Sequence, residues 1–289
     1  LLAYWHARSR GGKLVLRLED LDAPRVVPGA ADAIVQDLEW LGIDWDGPVV
    51  VQSSRLAASI DACEDLLRRR LAYPCICSRG DLRTAQSAPQ QGVSEPRYPG
   101  TCRGKFASVA EAEQVSGKPA GVRFIVPPGR VEFVDEFVGP CSFDVAADVG
   151  DFLIARKGGL PAYQLAVVVD DAAQAVTEVV RGDDLLSSTA RQILLRSALG
   201  LPAPAYFHVP LVVDETGRRL AKRADDLSLA ELRDHGVDPR RVASWVARTA
   251  GIPCDELVTT AELSGRFSMA RVPREPVSSH GVMETLGST

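Results

Sequence analysis

The side chains most committed to one chemistry are the thiols. Three of the six cysteines in this 289-residue chain fall close together, as Cys75-Ile76-Cys77 and then Tyr98-x-x-x-Cys102. Thiolate sulfur is the preferred ligand of structural zinc, which takes four donors. Cys75 and Cys77 supply two donors from one turn, and Cys102 supplies a third across residues 78–101. Tyr98 is the candidate fourth donor. A free phenol titrates near about 10, and a neighbouring cation lowers that value. The same spacing also suits three buried cysteines packed beside a core tyrosine. Six cysteines in a chain this long do not make a disulfide scaffold, so the pair at 75 and 77 points to thiolates held for a metal in a reducing cytosol.

A second group is cationic: Arg218-Arg219-Leu220-Ala221-Lys222-Arg223, after Asp214-Glu215-Thr216-Gly217. A glycine-containing loop with several cations suits a polyphosphate, and a lysine there can neutralise charge developing on a transferring phosphoryl group. A solvated basic turn has the same composition. A third group joins Glu19, Tyr163 and the segment Val179-Val180-Arg181-Gly182-Asp183-Asp184. An arginine ending a buried strand can bind a carboxylate bidentately. Gly182 would let backbone approach a ligand, and Asp183 or Asp184 would serve equally well as the cap of the next helix. Glu19 offers a carboxylate to an ammonium, or is a surface loop acid. Walker A, G-x-G-x-x-G and G-x-S-x-G patterns are absent, and the four histidines (His6, His208, His235 and His280) show no metal spacing.

These residues need a scaffold, and the patterning describes one. Residues 1–10 read as a helix stopped by Gly11-Gly12, and residues 13–18 as a strand with Leu14, Leu16 and Leu18 on one side. A helix over 31–41, a strand over 49–52 and a helix capped by Ser54 and running to Arg70 follow. Alternation of this kind argues for α/β with a parallel sheet, in which ligands sit beyond the strand ends. Residues 73–150 break the pattern with cysteines, a polar loop, a helix over 108–115 and strands over 121–126, 131–137 and 141–145, a compact α+β insertion. The α/β pattern resumes with a strand over 152–155, a turn at Gly158-Gly159, a strongly apolar run over 163–169 and a buried strand over 176–180. A helix over 185–199 and a strand over 209–213 come next, then helices over 228–235 and 239–251. The residues from Val277 are polar and read as frayed.

Composition sets outer limits. Lys and Arg number 33 against 38 Asp and Glu, a net charge of −5 that excludes a wholesale polycation but leaves room for local basic patches. No apolar run approaches the roughly 18 residues of a membrane span, and nothing reads as a signal peptide.

Several ordered segments together resemble the class I glutamyl-tRNA synthetases. They are Leu16-Arg17-Leu18-Glu19-Asp20-Leu21-Asp22-x-Pro24-Arg25, Leu41-Gly42-Ile43-Asp44-Trp45-Asp46, Gln52-Ser53-x-Arg55, residues 163–171 and Val179-Val180-Arg181-Gly182-x-Asp184-Leu185-Leu186. Arg219-Leu220-Ala221-Lys222-Arg223 resembles that class's second signature loop, and Cys75, Cys77, Tyr98 and Cys102 match its zinc pattern. The chain ends soon after the second loop, and its closing stretch, residues 266–277, is similar to that of the shorter glutamyl-Q tRNA(Asp) synthetase branch. The chain opens on Leu1-Leu2 rather than Met, already inside a helix, so the resemblance places the first strand and a first signature, G-x-x-H-x-G, before Leu1.

The resemblance implies a Rossmann-like class I aminoacyl-tRNA synthetase catalytic domain. Residues 1–72 and 151–212 form its two parts, 73–150 the zinc-bearing insertion, and 213–289 the signature loop, a small helical region and the tail. It implies ATP-dependent activation of glutamate, with Mg²⁺, and transfer of the glutamyl group to queuosine in the anticodon of tRNA(Asp), by a cytoplasmic monomer. Glu19 then holds the substrate ammonium with Tyr163 beside it, and Arg181 pairs with a substrate carboxylate. Lys222 is catalytic and binds ATP together with Arg219, and the zinc is structural. A fragment charging a tRNA 3′ end, and a non-catalytic zinc-bearing RNA-binding remnant, are the alternatives.

Overall fold

The computed structural model describes residues 1–22, 26–78, 80–81, 97–214, 216–217 and 228–279. Helix α1 (Leu2–Ser9) ends where expected: Gly11 takes a φ of +66°, and the Gly12 amide donates to Ala7. Trp5 on α1 is fully buried, and its indole N–H donates to the Thr260 carbonyl at 3.0 Å.

Strand β1 (Arg17–Leu18) pairs in parallel with β2 (Val50–Val51), and α2 (Ala30–Trp40) lies between them in sequence. The strand expected over 13–18 is paired only at its last two residues. A short 3₁₀ turn (Gln52–Arg55) then leads into α3 (Leu56–Arg68). Ser54 does not cap α3. It lies inside that turn, and its hydroxyl donates back to Val51.

Three antiparallel strands follow: β3 (Ala72–Cys75), β4 (Gly121–Phe124) and β7 (Phe152–Ala155), with β4 central. Helix α4 (Val109–Ser116) is capped by the Ser108 hydroxyl. Strands β5 (Val131–Asp135) and β6 (Gly139–Phe143) form a hairpin, and α5 (Val145–Asp148) leads back towards β7. The apolar run from 163 is helix α6 (Tyr163–Ala173), buried on nearly every side. A helix covered all round carries no amphipathic stripe to identify it.

Strand β8 (Glu178–Gly182) pairs in parallel with β9 (Ala205–Val209), joined through α7 (Leu186–Leu199). The strand expected over 209–213 is two strands. Pro210 has no amide to donate, so the β9 ladder stops at Val209, and β10 (Val212–Val213) pairs elsewhere. Its partner is β11 (Val277–Ser278), in parallel register. The expectation of fraying from Val277 is therefore wrong for those two residues: the Val277 amide donates to Leu211, and the Ser279 amide to Val213. Helices α8 (Leu229–Asp234), α9 (Pro239–Thr249) and α10 (Thr260–Ser264) build the C-terminal region.

Two apolar cores hold these elements. One gathers Tyr4, Trp5, Ile43, Phe137, Phe207 and Val209 with residues of α8, α9 and α10. The other gathers Leu66, Val122, Phe124, Phe152 and Ile154 with Leu165, Val168, Ala190 and Leu195 of α6 and α7. The antiparallel sheet thus shares its core with helices of the α/β part. Among the described residues no helix is long and apolar enough to cross a membrane.

Candidate functional site

The cysteine cluster assembles at the end of β3. The sulfurs of Cys75, Cys77 and Cys102 all lie within 4.8 Å of one another, and Cys77 and Cys102 are 3.5 Å apart without a disulfide. The Tyr98 hydroxyl stands 3.4 Å from Cys75 Sγ and 3.8 Å from Cys77 Sγ. Donors arranged tetrahedrally at ~2.3 Å for sulfur and ~2.0 Å for oxygen are separated by ~3.5–3.8 Å. The separations of Tyr98 from Cys75 and Cys77, and of Cys77 from Cys102, suit one small tetrahedral ion. Burial pushes the Cys77 thiol up to about 12 and raises the Tyr98 phenol. Against the same burial, hydrogen bonds from the Ile76 amide and the neighbouring side chains hold Cys102 below its ordinary value. A divalent cation overrides such a balance, because a coordinating thiol is deprotonated outright.

The surroundings orient this set. Buried Arg123 lies 3.8 Å over the Tyr98 ring, and its Nε donates to Cys75 Sγ at 3.3 Å. Its Nη1 donates to the Asp151 carbonyl at 2.7 Å. The Asp151 carboxylate accepts from Tyr73 at 2.6 Å, from the Val126 amide at 2.9 Å and from Arg103. Gly150 has a φ of +71°, and a Cβ there would meet the Tyr98 carbonyl oxygen at 2.3 Å. Glycine is required at this position by both backbone angle and space.

Of the residues expected to read an amino acid, Tyr163 opens α6, Glu19 follows β1 and Arg181 lies on β8. Burial chiefly raises the Tyr163 phenol; the charge of Arg181 opposes the rise, and Glu19 and Asp171 add to it. Tyr163 is thus within electrostatic reach of both Glu19 and Arg181. Glu19 accepts from Arg17 through Oε1, at 3.1 and 3.3 Å. Its Oε2 has no protein partner among the described residues. Arg17 also holds Asp171 at 2.9 Å and Gln174 at 2.6 Å. The other acids after β1 have different work: Asp20 accepts from the Ser53 amide and hydroxyl, and Asp22 pairs with Arg156 at 2.7 Å.

Arg181 reaches the guanidinium position through three protein contacts. Nε donates to His208 Nε2 at 3.0 Å, and Nη2 donates to Thr189 Oγ1 at 2.7 Å and Gln192 Oε1 at 2.9 Å. Nη1, with two N–H groups, has no protein partner among the described residues. Gly182 does not open backbone to a ligand: a Cβ there would meet Leu211 at 2.6 Å and Asp184 at 2.7 Å, so its space is closed by protein. Asp183 and Asp184 do not cap α7 either; they lie in a 3₁₀ turn, and the capping position is Leu185.

Lys222 and Arg219 fall outside the described residues. Sequence reading passed over two other groups. Asp170 binds Gln52 at 2.8 Å and Arg55 at 2.9 Å, which ties two of the segments quoted above to each other. Asp135 and His208 form a fully buried pair at 2.6 Å. No sequence signal announces it, because 73 residues separate the partners and neither stands in a ligand spacing.

With this geometry in place, comparison with known proteins agrees with it. The family model described as "tRNA synthetases class I (E and Q), catalytic domain" matches residues 1–280, and the chain belongs to that family. A glutamyl-Q tRNA(Asp) synthetase of Symbiobacterium thermophilum is 45% identical over 287 residues, covering 96% of this chain and 88% of that protein. One from Geobacter sulfurreducens is 50% identical over 232 residues, 80% of this chain and 72% of that one. A crystal structure of a glutamate tRNA ligase from Elizabethkingia meningosepticum, in complex with its amino acid, matches with a TM-score of 0.79 at 25% identity. That match covers 95% of this chain and 62% of the ligase. The fold is that of a class I tRNA synthetase catalytic domain, and the chain is a ligase-type enzyme.

Proposed function

We propose that the chain activates glutamate with ATP and transfers the glutamyl group to queuosine in the anticodon of tRNA(Asp). The substrate carboxylate oxygen attacks the α-phosphorus of Mg²⁺-bound ATP, pyrophosphate leaves, and glutamyl-adenylate forms. A hydroxyl of the queuosine ring then attacks the acyl carbon, and AMP leaves. The observation that carries this reading is the pair of opposed charges around Tyr163: the carboxylate of Glu19, and the guanidinium of Arg181 with Nη1 in reserve. Glutamate is a zwitterion with a second carboxylate, and it needs such a pair. Glu19 takes the ammonium, with Tyr163 beside it, and Arg181 takes a carboxylate. Lys222 stabilises charge on the phosphates in the transition state, and Arg219 helps hold ATP.

The choice of acceptor is supported by the names of the relatives whose length this chain largely spans. Zinc on Cys75, Cys77, Tyr98 and Cys102 has a structural part, pinning residues 73–150. The enzyme is read as a cytoplasmic monomer. Glutamate-dependent exchange of pyrophosphate into ATP, without tRNA, tests activation. Glutamylation of tRNA(Asp) with and without queuosine, each with its 3′-terminal adenosine removed, tests the acceptor. Transfer should require queuosine and survive loss of the 3′ end. Transfer that requires the terminal adenosine instead would place the acceptor at the 3′ end.

A further inference from the structure

Arg181 is held by a relay that begins in the segment read as an insertion. Asp135 ends β5 and is 1% exposed. Its Oδ1 accepts the amides of Phe137 at 3.0 Å, Val138 at 2.8 Å and His208 at 3.2 Å. Its Oδ2 lies 2.6 Å from His208 Nδ1. His208, on β9, is wholly buried and stands directly opposite Arg181 in the β8–β9 register.

An ionised carboxylate only accepts hydrogen bonds, so Nδ1 must carry the proton. The other imidazole nitrogen of the neutral ring is then an acceptor, and it meets Arg181 Nε at 3.0 Å and Thr189 Oγ1 at 3.1 Å. A guanidinium only donates, so the tautomer is required from both sides of the ring. Burial pushes the imidazole below its ordinary pKa, with the charge of Arg181 adding, against the hydrogen bond to Asp135. Burial would raise the Asp135 carboxyl, but hydrogen bonds from His208 and the backbone hold it below its ordinary value. Both directions agree with an anionic Asp135 beside a neutral His208.

We propose that Asp135 and His208 are positioning residues for amino-acid recognition. Asp135 fixes the Nδ1–H tautomer of His208, and the free Nε2 holds the Arg181 guanidinium so that Nη1 is presented to the substrate carboxylate. The hairpin β5–β6 thereby sets the aim of a residue on β8. This inference rests on the reading of Arg181 as the carboxylate-binding group.

Asp135→Asn keeps the shape but changes the donors. With the asparagine oxygen retained by the backbone amides, its NH₂ faces His208 Nδ1, which must accept. The ring then carries its proton on Nε2, donor against donor at Arg181. Two measurements on the full-length protein test this. ¹⁵N-histidine NMR, with His208 assigned by its loss in His208→Gln, should show Nδ1–H in the wild type and Nε2–H in Asp135→Asn. Pyrophosphate exchange should show KM for glutamate raised at least tenfold in Asp135→Asn, with KM for ATP within twofold of wild type. A merely structural defect lowers the active fraction, and so kcat, without moving KM for one substrate.

A second pair covers the case in which Asp135→Asn does not fold. His208→Gln keeps an acceptor for Arg181 and should hold KM for glutamate within threefold, whereas His208→Leu should raise it tenfold or more. Wild-type Nε2–H, or equal glutamate KM values in the Gln and Leu variants, would overturn the proposal. Absence of glutamate-dependent exchange in the wild type would instead sink the functional reading, and the substrate half of this proposal with it.

Discussion

Arg181→Gln tests the substrate assignment most directly. The guanidinium already spends Nε on His208 and Nη2 on Thr189 and Gln192, which leaves Nη1 as the group that would meet the proposed substrate. A hydrogen bond to a charged group contributes about 1.5–3 kcal/mol, which is a factor of roughly 10 to 150 in affinity. Arg181→Gln should therefore reduce kcat/KM for glutamate at least tenfold. It should also narrow the preference for glutamate over glutamine, because an amide brings donors against a cation while a carboxylate brings only acceptors. The same change strips a donor from Gln192 Oε1, a buried acceptor, which on its own destabilises by about 1–3 kcal/mol. Unfolding midpoints must be measured alongside pyrophosphate exchange, so that lost folding is not counted as lost recognition. Arg181→Lys should fall between the two, since lysine keeps the charge and loses the fork. A folded Arg181→Gln enzyme with unchanged discrimination would refute the reasoning and assign selectivity to another group.

Three further outcomes are expected. Metal analysis should find close to one zinc per chain and none in the Cys75→Ala/Cys77→Ala double variant; chelation should lower thermal stability while leaving KM for glutamate unchanged, and a disulfide between any two of these cysteines would sink the site. Gly150→Ala should lose about 1–3 kcal/mol of stability from backbone strain, read by urea unfolding, and should lose zinc too, since the new Cβ meets the Tyr98 carbonyl; an unchanged midpoint and metal content would contradict this. Lys222→Ala should lower kcat for activation far more than it raises KM for glutamate, because the lysine acts on transition-state charge, and unchanged turnover would reduce residues 218–223 to a solvated basic turn.

The cysteine set was legible because its residue types have few other uses and its spacing is short. The end of α1 at Gly11 was legible for the same local reason. Helix α6 was not, because burial on nearly all sides erases the periodicity that separates helix from strand. Strand β9 was misplaced because Val209 to Val213 is apolar throughout, and only the missing amide of Pro210 divides it. Val277 looked frayed because its neighbours are polar, and its ladder partner is remote in sequence. Glu19, Tyr163 and Arg181 could be singled out by residue type, but the contacts that Arg17, Thr189, Gln192 and His208 make with them could not. Their roles come from what the fold brings beside them.

The two sites of residues 73–150 depend on different parts of the fold. The cysteines sit with Tyr73 and Tyr98 in a small cluster of their own, bounded by Arg123 and Asp151. Asp135 belongs to the other end: its neighbour Phe137 packs in the core shared by Phe207, Val209 and the C-terminal helices. Between the two ends lie β4 and β7, whose Val122, Phe124, Phe152 and Ile154 are fixed against α6 and α7 by apolar contact. A metal that pins the first end need not reach the second, because that intervening core is already anchored without it. Chelation and the Asp135 substitution should therefore act separately, one on stability and the other on glutamate recognition. That separation follows from additivity between distant sites with no shared partner. The segment between β3 and β7 is thus held at a cysteine cluster, along an apolar face and at one buried carboxylate, and the carboxylate reaches Arg181 through His208.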